Sequence, residues 1–208
     1  MTTLTEIIEL DRLDQKLADA FPGRIVRKDL VRSVKGGFNV PVYVLEYLLG
    51  KYCASTDPDI VAEGLAYVRQ TLSEHYVRAD ESEKIKSMTR ERGTFRIIDK
   101  VKVRLVETED KYWATLTNMG LSNVNIPERE VKRYDKLLMG GIWAIVDLSY
   151  DGEFQYRGQT RPFFIVSLKP IQQATTDISD YLEARQTFTR DEWLDVLLRS
   201  IGMEPTYP

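Results

Sequence analysis

Arg96, Lys100, Lys102 and Arg104 stand at alternate positions of one stretch, interrupted only by Ile98, and their type and spacing could do chemistry. Alternate side chains of an extended strand share a face. Such a strand therefore carries a row of positive heads, while Phe95, Ile97, Val101, Val103 and Leu105 keep the opposite parity apolar. Phosphates along a nucleic-acid backbone are met by point charges or forked donors held in such a row, and neutralising them releases counterions. A second row lies upstream. Lys28, Arg32 and Lys35 follow at i, i+4 and i+7, one face of a helix opposite Leu30, Val31 and Val34. Arg24 and Arg27 precede them, and Asp29 is the lone acid between residues 24 and 35. A third constellation, Phe154, Tyr156, Arg157 and Arg161, joins rings that stack on bases to guanidiniums that grip a backbone. Against it stand Asp151 and Glu153 in the same segment, and Glu107-Thr108-Glu109-Asp110, which would repel phosphate. Each charged run also fits the solvated face of an ordinary amphipathic element.

Other chemistries are excluded by reading. Gly50-Lys51 is followed by Tyr52 and has no glycine five residues before Gly50, so it is not a phosphate-binding G-x-x-x-x-G-K-[ST] loop. H-E-x-x-H and G-x-S-x-G are absent as well. The single histidine, His75, is expected to end a helix, satisfying terminal carbonyls and complementing the helix dipole. The single cysteine, Cys53, reads as a small core residue; alone it permits no intramolecular disulfide and makes a Cys/His zinc site nearly impossible. No catalytic residue, metal or cofactor is expected, and the chain by itself is read as no enzyme. Its 208 residues, 43% of them hydrophobic, suffice for one or two packed domains. No apolar run approaches the roughly 20 residues of a membrane span, and MTTLTEIIEL lacks the basic start and apolar core of a signal peptide. A cytoplasmic protein without a membrane partner is the expectation.

The elements that must position these residues follow from the apolar period. Leu10, Leu13, Leu17 and Phe21 mark a first helix ended by Pro22-Gly23; the basic helix from Lys28 to Lys35 is second and stops at Gly36-Gly37. Asn39 with Pro41 opens a third helix through Tyr52, and Asp57-Pro58 a fourth with the stripe Val61, Leu65, Val68 and Leu72. A polar fifth helix is read from about Asp80 to Arg90. From Gly93 the period becomes two: a long strand, a charged turn, a strand from Tyr112 to Thr117, and a short third strand before Ile126. Pro127 opens a helix through Met139 with Val131, Tyr134 and Leu138 inward, ended by Gly140-Gly141. Strands from Ile142 to Tyr150 and Pro162 to Leu168 follow. Thr189 and Glu192 form a capping box for a last helix with Trp193, Leu197 and Ile201 on its face and Gly202 at its end. The fold expected is α+β: an N-terminal helical subdomain over 1–92, an OB-fold-like β-barrel over 93–172, and a linker with a C-terminal helix over 173–208. The formal net charge of −3 conceals an uneven distribution. Basic and acidic groups number 14 and 15 in 1–92, 12 and 10 in 93–172, and 3 and 7 in 173–208.

The strings FPGRIVRKDLVRSVKGG (21–37), NVPVYVLEYLLGKYCAS (39–55), IIDKVKVRL (97–105), LLMGGIWAIVDLSY (137–150) and FTRDEWLDVLLRSIGMEP (188–205) resemble the N-terminal region of the BrxL family, Lon-related AAA+ proteins of bacterial BREX phage-defence systems. The likeness is spread over nearly the whole chain. It implies a front segment of a larger protein whose AAA+ core and Lon-like region lie downstream of Pro208. It also implies association with DNA, self-association into rings resembling those of MCM helicases, and the company of other BREX proteins. MCM proteins place a helical piece and an OB-fold ahead of their AAA+ core, the order read here. ATPase and peptidase activity do not carry over, because the residues for them are missing. The reading is a DNA-binding, ring-organising module that contacts the backbone without strong sequence preference through Lys28, Arg32, Lys35, Arg96, Lys100, Lys102, Arg104, Arg157 and Arg161. A protein-interaction or substrate-recruitment domain without DNA contact is the alternative. Trp193 is expected to dock the last helix on the barrel or on the missing core.

Overall fold

Asp11 and Asp14 open the first helix, α1 (Arg12–Ala20), by a reciprocal capping box in which each carboxylate accepts the other's backbone N–H. The computed structural model describes residues 11–21, 25–26, 28–35, 38, 40–171, 178–201 and 203. Leu10, Pro22-Gly23, Arg24, Arg27, Gly36-Gly37, Asn39 and Gly202 lie outside the described residues. The chain divides into two compact units, Met1–Gln70 with Thr175–Pro208, and Thr71–Ala174.

In the first unit, α2 (Lys28–Lys35) buries Leu30, Val31 and Val34 and leaves Lys28, Arg32 and Lys35 exposed, as their spacing requires. Pro41 precedes α3 (Val42–Tyr52), whose Val44, Leu45, Leu48 and Leu49 are buried. Cys53, next to it, is buried too. Asp57 caps α4 (Pro58–His75): its Oδ1 accepts the Asp59 N–H at 2.9 Å, and Val61, Leu65, Val68 and Leu72 are buried along one stripe. Gly64 is required there. A Cβ at this position would lie 2.0 Å from the Tyr52 carbonyl oxygen, so only a residue without one lets α4 pass the end of α3.

In the second unit a 3-10 turn at Ala79–Glu81 leads into α5 (Ser82–Arg92), which presents Ile85 to the core. The strand β1 (Thr94–Val106) runs to a tight turn at Glu107–Glu109, followed by β2 (Lys111–Leu116) and β3 (Leu121–Asn125). After α6 (Glu128–Arg133) and a second 3-10 turn comes β4 (Ile142–Tyr150). The segment read as a loop contains a small hairpin, β5 (Gln155–Tyr156) and β6 (Gln159–Thr160), before β7 (Phe163–Pro170). The hairpin was invisible to periodicity because each strand has two residues. The five long strands form a mixed sheet in the order β1-β2-β3-β7-β4, closed on itself by the β1–β4 pairing. All its pairs are antiparallel except β3–β7, held in register at Asn125 and Phe164.

Ile97, Val101 and Val103 of β1 enter the core with Leu116, Val124, Val146, Leu148 and Ile165. Each such side chain contributes about 1.5–3 kcal/mol on burial. Two expectations need correction. Leu105 shares the inward parity but is 46% exposed, since it lies at the hairpin end of β1, beyond the packed interior. Leu137, not Leu138, is buried: α6 stops at Tyr134, and the following 3-10 turn advances three residues per turn, shifting the inward position by one. Asp99 also points inward. Burial pushes its carboxyl up, while the backbone N–H groups of Asn118, Met119 and Lys100 donate to it and oppose that shift. This carboxylate thereby anchors the β2–β3 turn to β1.

The chain then returns to the first unit with α7 (Ser179–Arg185) and α8 (Arg190–Ser200). The Thr189–Glu192 capping box forms as read. Trp193 packs within this unit against Phe21 and Phe188, with centroids 6.3 and 5.6 Å away. Leu197 and Ile201 stay exposed. The reason is that α8 is tied to α1 by a polar stripe: Lys16 to Glu192 at 2.7 Å, and Arg199 to Asp11 and Asp14 at 2.7 and 3.3 Å.

Candidate nucleic-acid interface

The outward parity of β1 is less uniform than its sequence. The β1–β4 register sets Arg96 opposite Asp147, and its Nε donates to Oδ1 at 2.7 Å. Arg96 holds the Asp147 carboxyl below its usual value, and the Ser167 hydroxyl, donating at 2.6 Å, adds to the effect. Ile98 is fully buried, covered by the segment that enters α5: its carbonyl accepts the Val77 N–H at 3.2 Å. Lys100, Lys102 and Arg104 remain as a continuous outward run. None of the three pairs with a carboxylate among the described residues. Arg104 instead donates to Asn123 Oδ1 at 2.8 Å.

Asn123 reaches Arg104 because β3 carries an extra residue. The β2–β3 register shifts between Ala114 and Leu116, and Asn123 takes a left-handed backbone, φ 58°, to absorb it. Arg157 is also left-handed, at φ 49°, in the two-residue turn of the small hairpin. Its guanidinium donates to the Thr108 carbonyl at 3.1 Å, and the Tyr156 hydroxyl donates to the Glu109 carbonyl at 3.3 Å. The β4–β7 connection is thereby pinned to the β1–β2 turn. Between them opens a cleft of about 290 Å³, lined by Arg104, Arg157 and Arg161 with Asn123, Gln159 and Glu109.

The acids near the cleft are partly spoken for. Glu109 Oε2 accepts the Trp113 indole N–H at 2.7 Å, so this carboxylate is directed onto the protein rather than outward. Trp113 is buried, Tyr156 meets it edge-on at 5.2 Å, and the Lys111 ammonium stands 4.3 Å from both ring centres. Burial lowers the Lys111 pKa against the opposing pull of Glu109. Lys111 also donates to Asn125 Oδ1 at 2.9 Å, while the Asn125 amide donates to the Arg161 and Phe163 carbonyls. Arg161 itself donates to Gln159 Oε1. Sequence reasoning missed Lys111, Trp113, Asn123, Asn125 and Gln159. The signal available was the shared parity of Lys111 and Trp113 in β2; the bulge that turns Asn123 outward has none.

The helical row belongs to the other unit. Lys28 is paired to Glu46 at 2.6 Å, whereas Arg32 and Lys35 have no carboxylate partner among the described residues. His75 ends α4 as read, but its Nδ1 lies 3.1 Å from the Arg96 carbonyl oxygen on β1, so the carbonyl it meets is not one of its own helix. Among the described residues no group of His, Cys, Asp and Glu could hold a metal ion, and no helix is long and apolar enough to cross a membrane.

Fold and cleft define an α+β protein with a closed five-stranded sheet and, beside it, a cleft lined by arginines that hydrogen-bond to neutral acceptors. The chain belongs to the BrxL family: residues 19–150 match the family described as BREX system Lon protease-like protein BrxL N-terminal. Residues 163–207 match a second description, Lon-like protease BrxL-like, ATPase domain, which takes in β7, α7 and α8. Over 193 residues the chain is 51% identical to the Lon-like protease BrxL of Escherichia coli O9:H4 (strain HS), covering 93% of this chain and 28% of that protein. Over 197 residues it is 47% identical to the Lon-like protease BrxL of Bacillus cereus (strain H3081.97), covering 95% of this chain and 29% of that protein. The chain thus spans less than a third of the length of these curated relatives.

Proposed function

We propose that this chain is the DNA-binding, ring-organising N-terminal module of a BREX-type AAA+ antiphage defence protein in the cytoplasm, gripping the backbone without strong sequence preference and catalysing no reaction itself. One observation carries the reading: Arg104, Arg157 and Arg161 line one cleft and, among the described residues, hydrogen-bond to neutral acceptors and to no carboxylate. A phosphate adds to each guanidinium what a neutral acceptor lacks, an opposite charge and two oxygens that match the fork of its N–H donors. Lys100 and Lys102 extend the row along β1. Arg96 and Lys28, each already paired to a carboxylate, contribute less, and Arg32 with Lys35 are unpaired cations of the other unit among the described residues. The strand order with one parallel pair, and a cleft flanked by the β1–β2 and β4–β7 connections, support assigning the closed sheet to the OB-fold. Binding by one copy is weak and gains from ring avidity, with other BREX proteins as further partners.

The test is fluorescence anisotropy with a labelled oligonucleotide of about 20 nucleotides. Affinity falls steeply between about 50 and 200 mM salt, and Arg104→Gln, Arg157→Asn and Arg161→Gln together flatten the log–log salt slope by roughly 2. A slope unmoved by the triple variant removes the cleft from the interface. A second reading, protein interaction or recruitment without DNA contact, is favoured by the exposed Leu182 of α7, Leu194 and Leu197 of α8, and Ile201 just past it.

A further inference from the structure

Asn123 and Gln159 occupy the same cleft, and each serves through its amide oxygen as acceptor for one of the arginines. The NH2 group of each carries no hydrogen bond among the described residues. An amide placed in this way has one face committed to a guanidinium and the other open. When a phosphate takes the guanidinium, the amide oxygen is released. Donor and acceptor are then presented together, the pair that reads a base edge.

We propose that this cleft seats one nucleotide of an unpaired strand, its phosphate on Arg104 and Arg161 and its base edge on Asn123 and Gln159, so that the module prefers single-stranded to duplex DNA. The proposal rests on the DNA-binding reading above and names the form of DNA that this site takes. The lining of the cleft favours the unpaired form. The cleft, about 290 Å³, mixes guanidiniums and amides in one small space. A duplex keeps its base edges within grooves about 6 to 12 Å wide, apart from the phosphates that rim them, and cannot deliver both to one recess. An unpaired strand can splay a base beside its own phosphate. The ring faces nearest the cleft are already engaged. Trp113 is buried and Lys111 stands over both it and Tyr156, so a base entering here is held by its edge rather than by stacking.

Anisotropy titrations of the 208-residue protein at low salt test this with two probes, a labelled mixed-sequence single strand of about 15 nucleotides and the duplex of the same sequence. The single strand is expected to bind roughly five- to tenfold tighter, as two extra hydrogen bonds would give. Asn123→Gly, which keeps the backbone conformation, combined with Gln159→Ala reduces that preference to about twofold or less. Should the double variant fail to fold, Gln159→Ala alone, at an exposed hairpin position, must still lower the preference. Equal or tighter duplex binding by the unaltered protein, or a preference that survives the variants, overturns the proposal and leaves the DNA-binding reading standing. Failure of both probes to bind overturns that reading and this one with it.

Discussion

Gly141→Ala tests whether the approach of β4 to β1 sets the base of the cationic row. Gly141 has φ 86°, and a Cβ there would lie 2.5 Å from both the Val101 carbonyl oxygen and Lys102 Cγ. Val101 pairs with Ile142 on one side and Leu116 on the other, so its carbonyl cannot retreat without disturbing two ladders. The left-handed backbone costs an alanine about 1 kcal/mol. Overpacking against fixed backbone adds about 1–3 kcal/mol, for a total of about 2–4 kcal/mol. Gly140→Ala isolates the first of these effects, because Gly140 has φ 103° and nothing within 4 Å of its added Cβ. Urea unfolding followed by circular dichroism measures both. With a slope of about 2 kcal/mol per M, the Gly141 variant unfolds about 0.5–1.5 M earlier than the Gly140 variant. It also displaces the Lys102 backbone, so its DNA affinity falls where that of the Gly140 variant does not. Coincident unfolding midpoints would refute the close-approach argument, leaving only the shared backbone strain.

Other outcomes follow from the same geometry. Gly64→Ala gains about 1 kcal/mol of helix propensity but forces a contact now 2.0 Å from the Tyr52 carbonyl; a net loss of about 1–3 kcal/mol is expected in thermal unfolding. Arg96→Gln costs at most about 1 kcal/mol at neutral pH, since the pair is partly exposed. Asp147 is held below its ordinary 3.8, so the pair's contribution is present above that value and disappears as pH falls through the lower folded value; the stabilities of variant and parent then converge. The same substitution leaves the DNA salt slope nearly unchanged. Glu192 is drawn from 4.5 to about 2, first by the Lys16 side chain and then by the Thr189 N–H. Its support of α8 is complete above 4.5 and fades as pH drops towards 2, visible as a loss of helical signal in an acid titration. Thr189→Ala weakens the same cap by about 1 kcal/mol at neutral pH.

Local patterns carried the reading far where partners lie within a few residues. The Thr189–Glu192 box, the Asp57 cap and the exposed face of α2 each depend on offsets of two to seven positions, and helix geometry turns such offsets into contacts. The parity of β1 was equally legible up to Val103. It failed at Leu105, because parity says which side a residue takes and not how far the core extends. Leu138 failed for a related reason: a 3-10 turn breaks the helical phase, and nothing in Tyr134-Asp135-Lys136 announces it.

By itself, then, the sequence determined which cations share a face, which helices and strands carry them, and the family to which the chain belongs. Only the tertiary structure decided which of those charges meet a carboxylate. Arg96 and Lys102 look equivalent along β1, yet the β1–β4 register brings Asp147, 51 residues away, opposite the first. Glu109, which reads as a repulsive acid in the first hairpin, is turned onto Trp113, and the bulge at Asn123 supplies Arg104 with a neutral acceptor. The physical reason is that spacing fixes the direction of a side chain, whereas its electrostatic partner comes from strand register and loop docking, which depend on the whole closed sheet.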